Sequence, residues 1–190
     1  LALDYRSTLN WSAPVALEPD VFDASTIFDA LNRPVTLTTP DDSVIRPTFN
    51  EAKLLNAVDA NLRGEALNGQ LVWTPFVTNI DYNARGQRTL IDYGNGIRTT
   101  YKYDSLTFRL TRLQTLDGAA RLQDMSYTYD PAGNITHIRD DAQQTIYFRN
   151  RQVDASSDFT YDAINQLIEA SGREHLGQAG NQPNPPTAPD

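Results

Sequence analysis

The chain has 190 residues, of which 39% are hydrophobic and 9% aromatic, with nine Tyr and seven Phe against two Trp and one Met. Its formal net charge is −8, from 24 acidic and 16 basic residues, which argues against the broad basic surface of a nucleic-acid-binding protein. It has no Cys, which excludes disulfides, thiolate metal sites and Cys nucleophiles, and its two His are too few for a His-rich zinc site.

The opening stretch, LALDYRSTLNWSAPVALEPD, has no basic segment followed by an apolar one, so we expect no signal peptide in it. It begins on the alternating residues LALDYR and without Met, and we interpret the chain as a piece of a longer protein. Residues 1–21 are predicted to be a lead-in that contains a strand of a preceding repeat. Because no apolar run approaches the length of a membrane span, no membrane-spanning segment is predicted.

A short motif then recurs along the chain: an aromatic residue, Asp or Asn, two free positions, and a fifth residue suited to a positive φ angle. Six segments fit it to varying degrees: FDALNRPV, FNEAKLLN, YNARGQRT, YDSLTFRL, YDPAGNIT and YDAINQLI. Their leading aromatic residues are separated by intervals of 21, 33, 21, 26 and 32 residues. The sequence therefore predicts a repeat architecture.

Each position of the motif has a physical role in a hairpin. The aromatic residue closes a strand and offers a flat face for stacking on the neighbouring repeat, and the Asp or Asn starts a turn by bonding its own backbone. The fifth position holds Asn32, Lys53, Gly86, Thr107, Gly133 and Asn165. Gly and Asn adopt left-handed conformations at little cost, and Pro131 fixes φ, so DPAG predicts a type I turn followed by a left-handed residue.

We predict that these motif residues have a structural role. They are Phe28, Asp29, Phe49, Asn50, Tyr82, Gly86, Tyr103, Asp104, Tyr129, Asp130, Pro131, Gly133, Asn134, Tyr161, Asp162 and Asn165.

The segments between the motifs favour strands. MSYTY alternates, and IRTTYKY (Ile97–Tyr103) and QTIYFRN (Gln144–Asn150) are rich in residues that favour β-structure. A further hairpin is predicted through Gly94-Asn95-Gly96. The segment NEAKLLNAVDANL (Asn50–Leu62) has apolar residues at helical spacing, yet it starts with the motif, so a strand pair is preferred and a helix remains the alternative. DALNR and DAINQLIEAS have the same ambiguity more weakly.

The C-terminal stretch GQAGNQPNPPTAPD has four prolines and no large apolar residue, which is typical of an extended linker or tail. We therefore expect three regions: the lead-in at 1–21, a segment of repeat hairpins at 22–176, and a Pro-rich tail at 177–190.

The Tyr-Asp-x-x-Gly-Asn pattern resembles the YD, or RHS, repeat family. The longer phrases FVTNIDYNARGQRTLIDYGNGIRTTYKYD, YTYDPAGNITHIRDDAQQTIYF and FTYDAINQLIEASGREHLGQ look like the RHS-repeat part of the B/C components of insecticidal toxin complexes, the Tc or ABC toxins. The resemblance covers roughly residues 22–178. It implies an all-β strip of antiparallel hairpins that forms a segment of a larger hollow shell.

The resemblance also implies a function. In the toxin complexes the shell encloses and protects a C-terminal toxin polypeptide, so the expected partners are other repeats and subunits of the complex and the enclosed polypeptide, with no nucleic acid and no membrane span. The expected location is secreted, outside the cell. We find no counterpart of the family's self-cleaving core segment, cargo domain or docking propeller in the sequence, so cleavage is not assigned. Because related animal proteins use a similar shell for adhesion, a carbohydrate- or protein-binding adhesion module is the alternative.

Two polar clusters could suggest chemistry instead. His137 with Asp140 and Asp141 could form an acid/base set, but such a set needs a cleft that tunes its pKa values, and a repeat hairpin has no evident cleft. The recurring Asp104, Asp130 and Asp162 could bind calcium, but every repeat needs a turn and few need a metal, which favours turn capping. We therefore expect no enzyme activity and no cofactor.

The aromatic residues permit two interpretations. If the aromatic side chains were exposed in a row, they could stack on sugars. Their fixed place in the motif instead favours stacking between repeats. Since repeats bury their apolar surface mainly against neighbours, an isolated piece is expected to be less stable or to self-associate through open strand edges.

Overall fold

The computed structural model describes residues 21–148 and 151–173, and these residues form an all-β fold. Outside the described residues lie most of the lead-in at 1–21, with its predicted strand, and the whole Pro-rich tail at 177–190. The strands are β1 (Ser25–Phe28), β2 (Pro34–Thr38), β3 (Val44–Phe49), β4 (Leu55–Asn61), β5 (Ala66–Leu67), β6 (Gln70–Leu71), β7 (Thr74–Tyr82), β8 (Arg88–Tyr93), β9 (Ile97–Tyr103), β10 (Leu110–Asp117), β11 (Ala120–Tyr129), β12 (Ile135–Asp140), β13 (Ile146–Phe148), β14 (Arg151–Val153), β15 (Ser156–Tyr161) and β16 (Leu167–Gly172).

Twelve strands form one antiparallel sheet in the order β1-β2-β3-β4-β7-β8-β9-β10-β11-β12-β15-β16. Chain neighbours pair throughout, so the sheet is a continuous series of hairpins. The other four strands form two small inserted hairpins, β5–β6 between β4 and β7, and β13–β14 between β12 and β15. The predicted all-β strip of antiparallel hairpins is confirmed.

The segments with ambiguous periodicity are turns and strands. Residues 50–54 form a turn, and β4 follows and pairs with β3. The helical alternative for Asn50–Leu62 is therefore wrong, because pairing across the sheet overrides a helical propensity that is only local. DAINQLIEAS likewise forms a turn followed by β16, and IRTTYKY coincides with β9.

The two faces of the sheet differ in chemistry, because directly paired residues share a face and neighbours along a strand alternate. The register sets Ile80 opposite Ile91, and Leu113 opposite both Tyr101 and Met125. The face that carries these residues is the tyrosine face. The opposite face is the ion-pair face, where cross-strand pairs join Arg46 to Asp59, Asp92 to Arg98, Arg112 to Asp124, and His137 to Asp158.

The sheet has little conventional core. Among the described residues the buried apolar side chains are Ala60, Ile80 and Ile91, and the largest fully buried side chains are polar, Asn61 and Asp124. The twelve main strands lie in a single sheet, so the stability of this segment comes mainly from lateral contacts between neighbouring strands and repeats.

Candidate functional site

The six motif turns lie on one long side of the sheet, which we call the motif side. They join β1 to β2, β3 to β4, β7 to β8, β9 to β10, β11 to β12, and β15 to β16. The connections between these hairpins lie on the opposite long side, the return side. The candidate site is therefore a row of similar turns and not a cleft.

The Asp or Asn of each motif caps its own turn. Asp130 Oδ1 accepts hydrogen bonds from the backbone N–H of Gly133 at 2.6 Å and of Asn134 at 2.8 Å. The hydrogen bond from the Asn134 side chain is the main reason that the pKa of Asp130 lies below its usual value. Equivalent bonds to the turn backbone are accepted by Asp29, Asn50, Asn83, Asp104 and Asp162. Within residues 21–148 and 151–173, no three acidic or His side chains are grouped to hold a metal ion.

The fifth motif residue takes a positive φ in five of the six turns. The φ angles are 58° at Asn32, 65° at Lys53, 77° at Gly86, 110° at Gly133 and 62° at Asn165.

The turn after Tyr103 is one residue longer than the motif predicts. Phe108, with φ of 60°, is its left-handed residue, so the assignment of Thr107 to that position is wrong. Asp104 Oδ1 accepts hydrogen bonds from both the backbone N–H and the hydroxyl of Thr107, which holds Thr107 inside the turn. The Arg85 guanidinium of the preceding turn stacks on the Phe108 ring at 3.6 Å.

The motif tyrosines join neighbouring repeats through their hydroxyl groups. Each hydroxyl donates to a backbone carbonyl of the preceding repeat, and the acceptor is always the residue paired with the preceding motif's aromatic residue. We call these four bonds the tyrosine staples: Tyr82 to Leu55 at 2.7 Å, Tyr103 to Arg88 at 2.9 Å, Tyr129 to Leu110 at 2.7 Å, and Tyr161 to Ile135 at 3.0 Å. Burial raises the pKa of Tyr103 and Tyr129 above the usual value, so both hydroxyls remain protonated donors near neutral pH.

The residue after the left-handed turn residue, which is the sixth motif residue or the seventh in the longer turn after Tyr103, makes a second link between repeats, called here the sixth-position link. Gln87 Nε2 donates to the Phe108 carbonyl of the next turn at 2.8 Å, and Arg109 Nη1 donates to the Asp130 carbonyl at 2.9 Å. Asn134 Nδ2 donates to Asn165 Oδ1 at 2.8 Å. Of these three donors the sequence analysis singled out Asn134 alone. The recurrence of long polar side chains at one motif position was the signal that could have identified the others.

Replacing Gly133 with alanine is expected to cost about 2 kcal/mol, because φ of 110° is strained for an L-residue and the new Cβ would lie 2.7 Å from Arg109 Nη2. Gly86 is the matched control, since it has φ of 77° and its Cβ would make only an ordinary contact with Leu54. Gly86→Ala should cost about 1 kcal/mol. Denaturant unfolding of the two variants checks the difference, and equal losses would contradict this account of the turn.

The suggested acid/base set is not assembled. His137 lies on the ion-pair face, where its Nδ1 is 2.7 Å from Asp158 Oδ1, whereas Asp140 is opposite Met125 on the tyrosine face. Asp140 Oδ1 accepts hydrogen bonds from the backbone N–H groups of Asp124 and Ala142. His137, which the motif left without a structural role, therefore has one as a cross-strand partner.

Asp124 is the centre of the strongest polar cluster. Its carboxylate is fully buried and accepts two hydrogen bonds of 2.6 Å from the Arg112 guanidinium, one of 2.9 Å from Gln114 and one of 3.3 Å from Arg121. The Arg112 hydrogen bonds are the largest cause of the lowered pKa of Asp124, which is about 2. Sequence analysis missed this cluster because its members lie on two strands and outside the motif.

The pKa of Asp124 predicts an acid-induced loss of stability. Because the folded-state pKa is below the unfolded value of 3.8, the stabilisation is present above about pH 4 and is lost as the pH falls toward 2. The loss should be about 2 kcal/mol. Denaturant unfolding between pH 5 and pH 2 measures it, and the Asp124→Asn variant should lack this component of the pH dependence.

Shallow depressions also lie on the described part of the sheet. One of about 380 Å³ is lined by residues that include Tyr93, Tyr101 and Leu113, and one of about 320 Å³ by residues that include Met125 and Ile138. In the part of the chain that the structure describes, no helix is long and apolar enough to cross a bilayer.

Comparison with known proteins gives consistent results, although no family model matches the chain. The chain is 34% identical over 164 residues to toxin subunit YenC1 of Yersinia entomophaga, an alignment that covers 83% of this chain and 16% of the relative. It is also 34% identical over 183 residues to toxin subunit YenC2 of the same organism, covering 93% of this chain and 18% of the relative. The chain thus spans less than a fifth of the length of these curated relatives.

Solved structures give the same result. The crystal structure of TcdB2-TccC3-Cdc42 superposes with a TM-score of 0.68 at 31% identity, covering 86% of this chain and 8% of that chain. A structure of the Photorhabdus luminescens Tc holotoxin pore with a mutated TccC3 gives a TM-score of 0.65 at 32% identity, covering 78% and 7%. The motif, the hairpin topology and these relatives agree: the chain belongs to the RHS-repeat family of the B and C components of Tc toxins, and its sheet matches a segment of their RHS-shell structures.

Proposed function

We propose that the chain is a non-catalytic wall segment of a longer, secreted polypeptide, the parent polypeptide, whose RHS shell encloses and protects a C-terminal toxin polypeptide. Within this proposal residues 22–176 are the wall, and the partners are neighbouring repeats, other subunits of the toxin complex and the enclosed polypeptide. The motif residues serve the wall as turn-forming and repeat-joining groups.

The tyrosine staples are the observation that carries this proposal. In each staple, the hydroxyl of a motif tyrosine donates a hydrogen bond to a backbone carbonyl of the preceding repeat. With the sixth-position links, they join successive hairpins along the motif side, in addition to the strand pairing. A wall needs such continuity, because a gap between two repeats would open the enclosed space to proteases and to water.

The polar side chains that first suggested catalysis support the same proposal. His137 is held by Asp158, and the Asp140 carboxylate accepts two backbone N–H groups, so these side chains serve the sheet itself. A general acid or base instead needs a free position beside a substrate.

A carbohydrate-binding adhesion module is the second candidate function. The observation that favours it is the depression on the tyrosine face lined by Tyr93 and Tyr101, which lie outside the staples. Specific glycan binding that is lost in Tyr101→Ser and retained in Lys102→Ser would support this second function. Equal binding of the Tyr101→Ser and Lys102→Ser variants to a glycan array would exclude the adhesion function.

Electron microscopy of the parent polypeptide tests the proposed wall. The full-length protein should form a hollow particle with density inside. Deletion of the polypeptide C-terminal to the RHS repeats should remove the internal density and leave the wall unchanged. A solid particle, or internal density that persists after the deletion, would contradict the proposal.

A further inference from the structure

The two inserted hairpins both project from the return side of the sheet. The first, β5–β6, occupies the connection from β4 to β7, and the second, β13–β14, occupies the connection from β12 to β15. The other connections on this side are short turns, at 39–43, 94–96 and 118–119. The insertions therefore exceed what is needed to reverse the chain.

A fully buried side chain anchors the first hairpin. Asn61, at the end of β4, donates through Nδ2 to the carbonyl groups of Glu65 and Val72, both at 2.7 Å. These two residues form the neck of the hairpin, since the Val72 N–H donates to the Glu65 carbonyl. On one flank the Arg46 guanidinium stacks at 3.2 Å on the ring of Trp73, which follows the neck. The hairpin is thus held to the sheet at its base.

The second hairpin is anchored through the backbone of Asp124, the other residue with a fully buried side chain. The Asp124 N–H donates to Asp140 Oδ1 at 2.9 Å, and the Asp141 N–H donates to the Asp124 carbonyl at 2.8 Å. The Asp140 N–H donates to the Ala155 carbonyl across the neck. Hydrogen bonds in a buried setting rigidify the backbone they hold. The bases of both hairpins are therefore held at Asn61 and Asp124, the residues with the two largest fully buried side chains among the described residues.

The strands of the anchored hairpins carry exposed apolar side chains. Leu67 and Leu71 of the first hairpin are 67% and 50% exposed, and Tyr147 of the second is 77% exposed. Large apolar side chains that are held rigidly in solvent are typical of interaction sites.

The motif side carries a complementary set of exposed apolar side chains. The fourth motif residue, at the tip of its turn, is Leu31, Leu106 or Ile164 in three of the six repeats, and these side chains are 55%, 85% and 70% exposed. Both long sides of the strip thus present apolar groups beyond the ends of the strands. Neither set takes part in the staples or the sixth-position links, through which neighbouring repeats are joined.

We propose that the two inserted hairpins pack against the motif side of another RHS segment of the same parent polypeptide, with Leu67, Leu71 and Tyr147 seated among fourth-position turn residues. This inference rests on the proposed wall function. A shell made from a single-layered strip closes only where the long sides of the strip meet. This chain spans 16% to 18% of its curated relatives, so most of the strip lies outside it and supplies that second side.

Site-specific photo-crosslinking in the full-length parent polypeptide tests this contact. Benzoylphenylalanine is placed at Leu67 or at Tyr147, and at Lys102 as the control, an exposed residue of β9 on the ion-pair face. Irradiated protein is digested and the crosslinked peptides are identified by mass spectrometry. Probes at 67 and 147 should crosslink to motif turns of distant repeats in the same polypeptide, and the probe at 102 should give no such product.

Crosslinks from 67 and 147 only to their own repeat, to the C-terminal polypeptide, to another subunit or to a second copy would overturn the inference. Electron microscopy of the parent polypeptide, which shows whether the particle is hollow, is an independent readout. A hollow particle without the expected crosslinks would reject this contact alone, whereas a particle that is not hollow would reject the proposed wall.

Discussion

Asp124→Ala is expected to lower the free energy of opening of strands β10–β12 by about 3 kcal/mol, because it leaves a partly buried arginine without its carboxylate. Arg112 loses both of its hydrogen bonds of 2.6 Å, and Gln114 loses its acceptor. The Arg112 side chain is 37% exposed and regains some hydration, which places the cost at the lower end of the range for a buried pair.

Amide hydrogen exchange of β10–β12 measures this effect, and the expected loss corresponds to a roughly 150-fold faster exchange. Asp92→Ala is the matched control, since Asp92 also pairs with an arginine across two strands but is more exposed. Exposed pairs contribute about 1 kcal/mol or less, so this variant should change exchange by less than tenfold. Similar effects of the two substitutions would show that burial of Asp124 has no special role.

Simultaneous Tyr→Phe substitution at the four staples is expected to cost about 3 kcal/mol, since each hydrogen bond contributes about 0.5–1.5 kcal/mol and the four bonds share no partner. The rings remain, so only the hydroxyl donors are lost. The four residues are Tyr82, Tyr103, Tyr129 and Tyr161. The Leu55, Arg88, Leu110 and Ile135 carbonyls should then bond to water, and adjacent repeats should separate more readily on the motif side.

Tyr93→Phe with Tyr127→Phe is the control for the staples. These tyrosines lie on the same face, and the described residues give their hydroxyls no hydrogen bond, so their loss should change stability by less than about 0.5 kcal/mol. Thermal unfolding of both variants provides the comparison. If the control variant were as destabilised as the staple variant, the hydroxyl bonds would not be what joins the repeats.

The turns and strands were predictable from the sequence because their causes are local. An Asp or Asn that bonds its own backbone, followed by Gly or Asn at a positive φ angle, specifies a hairpin within a few residues, as at Asp130 and Gly133. The intervals of 33 and 32 residues between motifs also contain the two inserted hairpins, so the uneven spacing was itself a signal of the insertions.

The contacts between repeats were not predictable in the same way. The acceptor of each staple is fixed by strand register, which no single motif encodes, and the Arg112–Asp124 pair requires the pairing of β10 with β11. The longer turn at Tyr103 depends on Thr107, whose hydroxyl bonds to Asp104 in competition with the usual turn. Sequence reasoning identified the aromatic position and missed the role of its hydroxyl, since Phe28 and Phe49 occupy the same position without one.

Limited proteolysis of the parent polypeptide tests the central claim most directly. The rate of cleavage of the C-terminal polypeptide is measured in the full-length protein, in the four-fold staple variant and in that polypeptide expressed alone. The C-terminal polypeptide should resist protease inside the full-length protein, should be cleaved rapidly alone, and should become more sensitive in the staple variant. Equal cleavage rates alone and in the full-length protein, while the repeat segment remains intact, would contradict the claim that this chain is part of an enclosing wall.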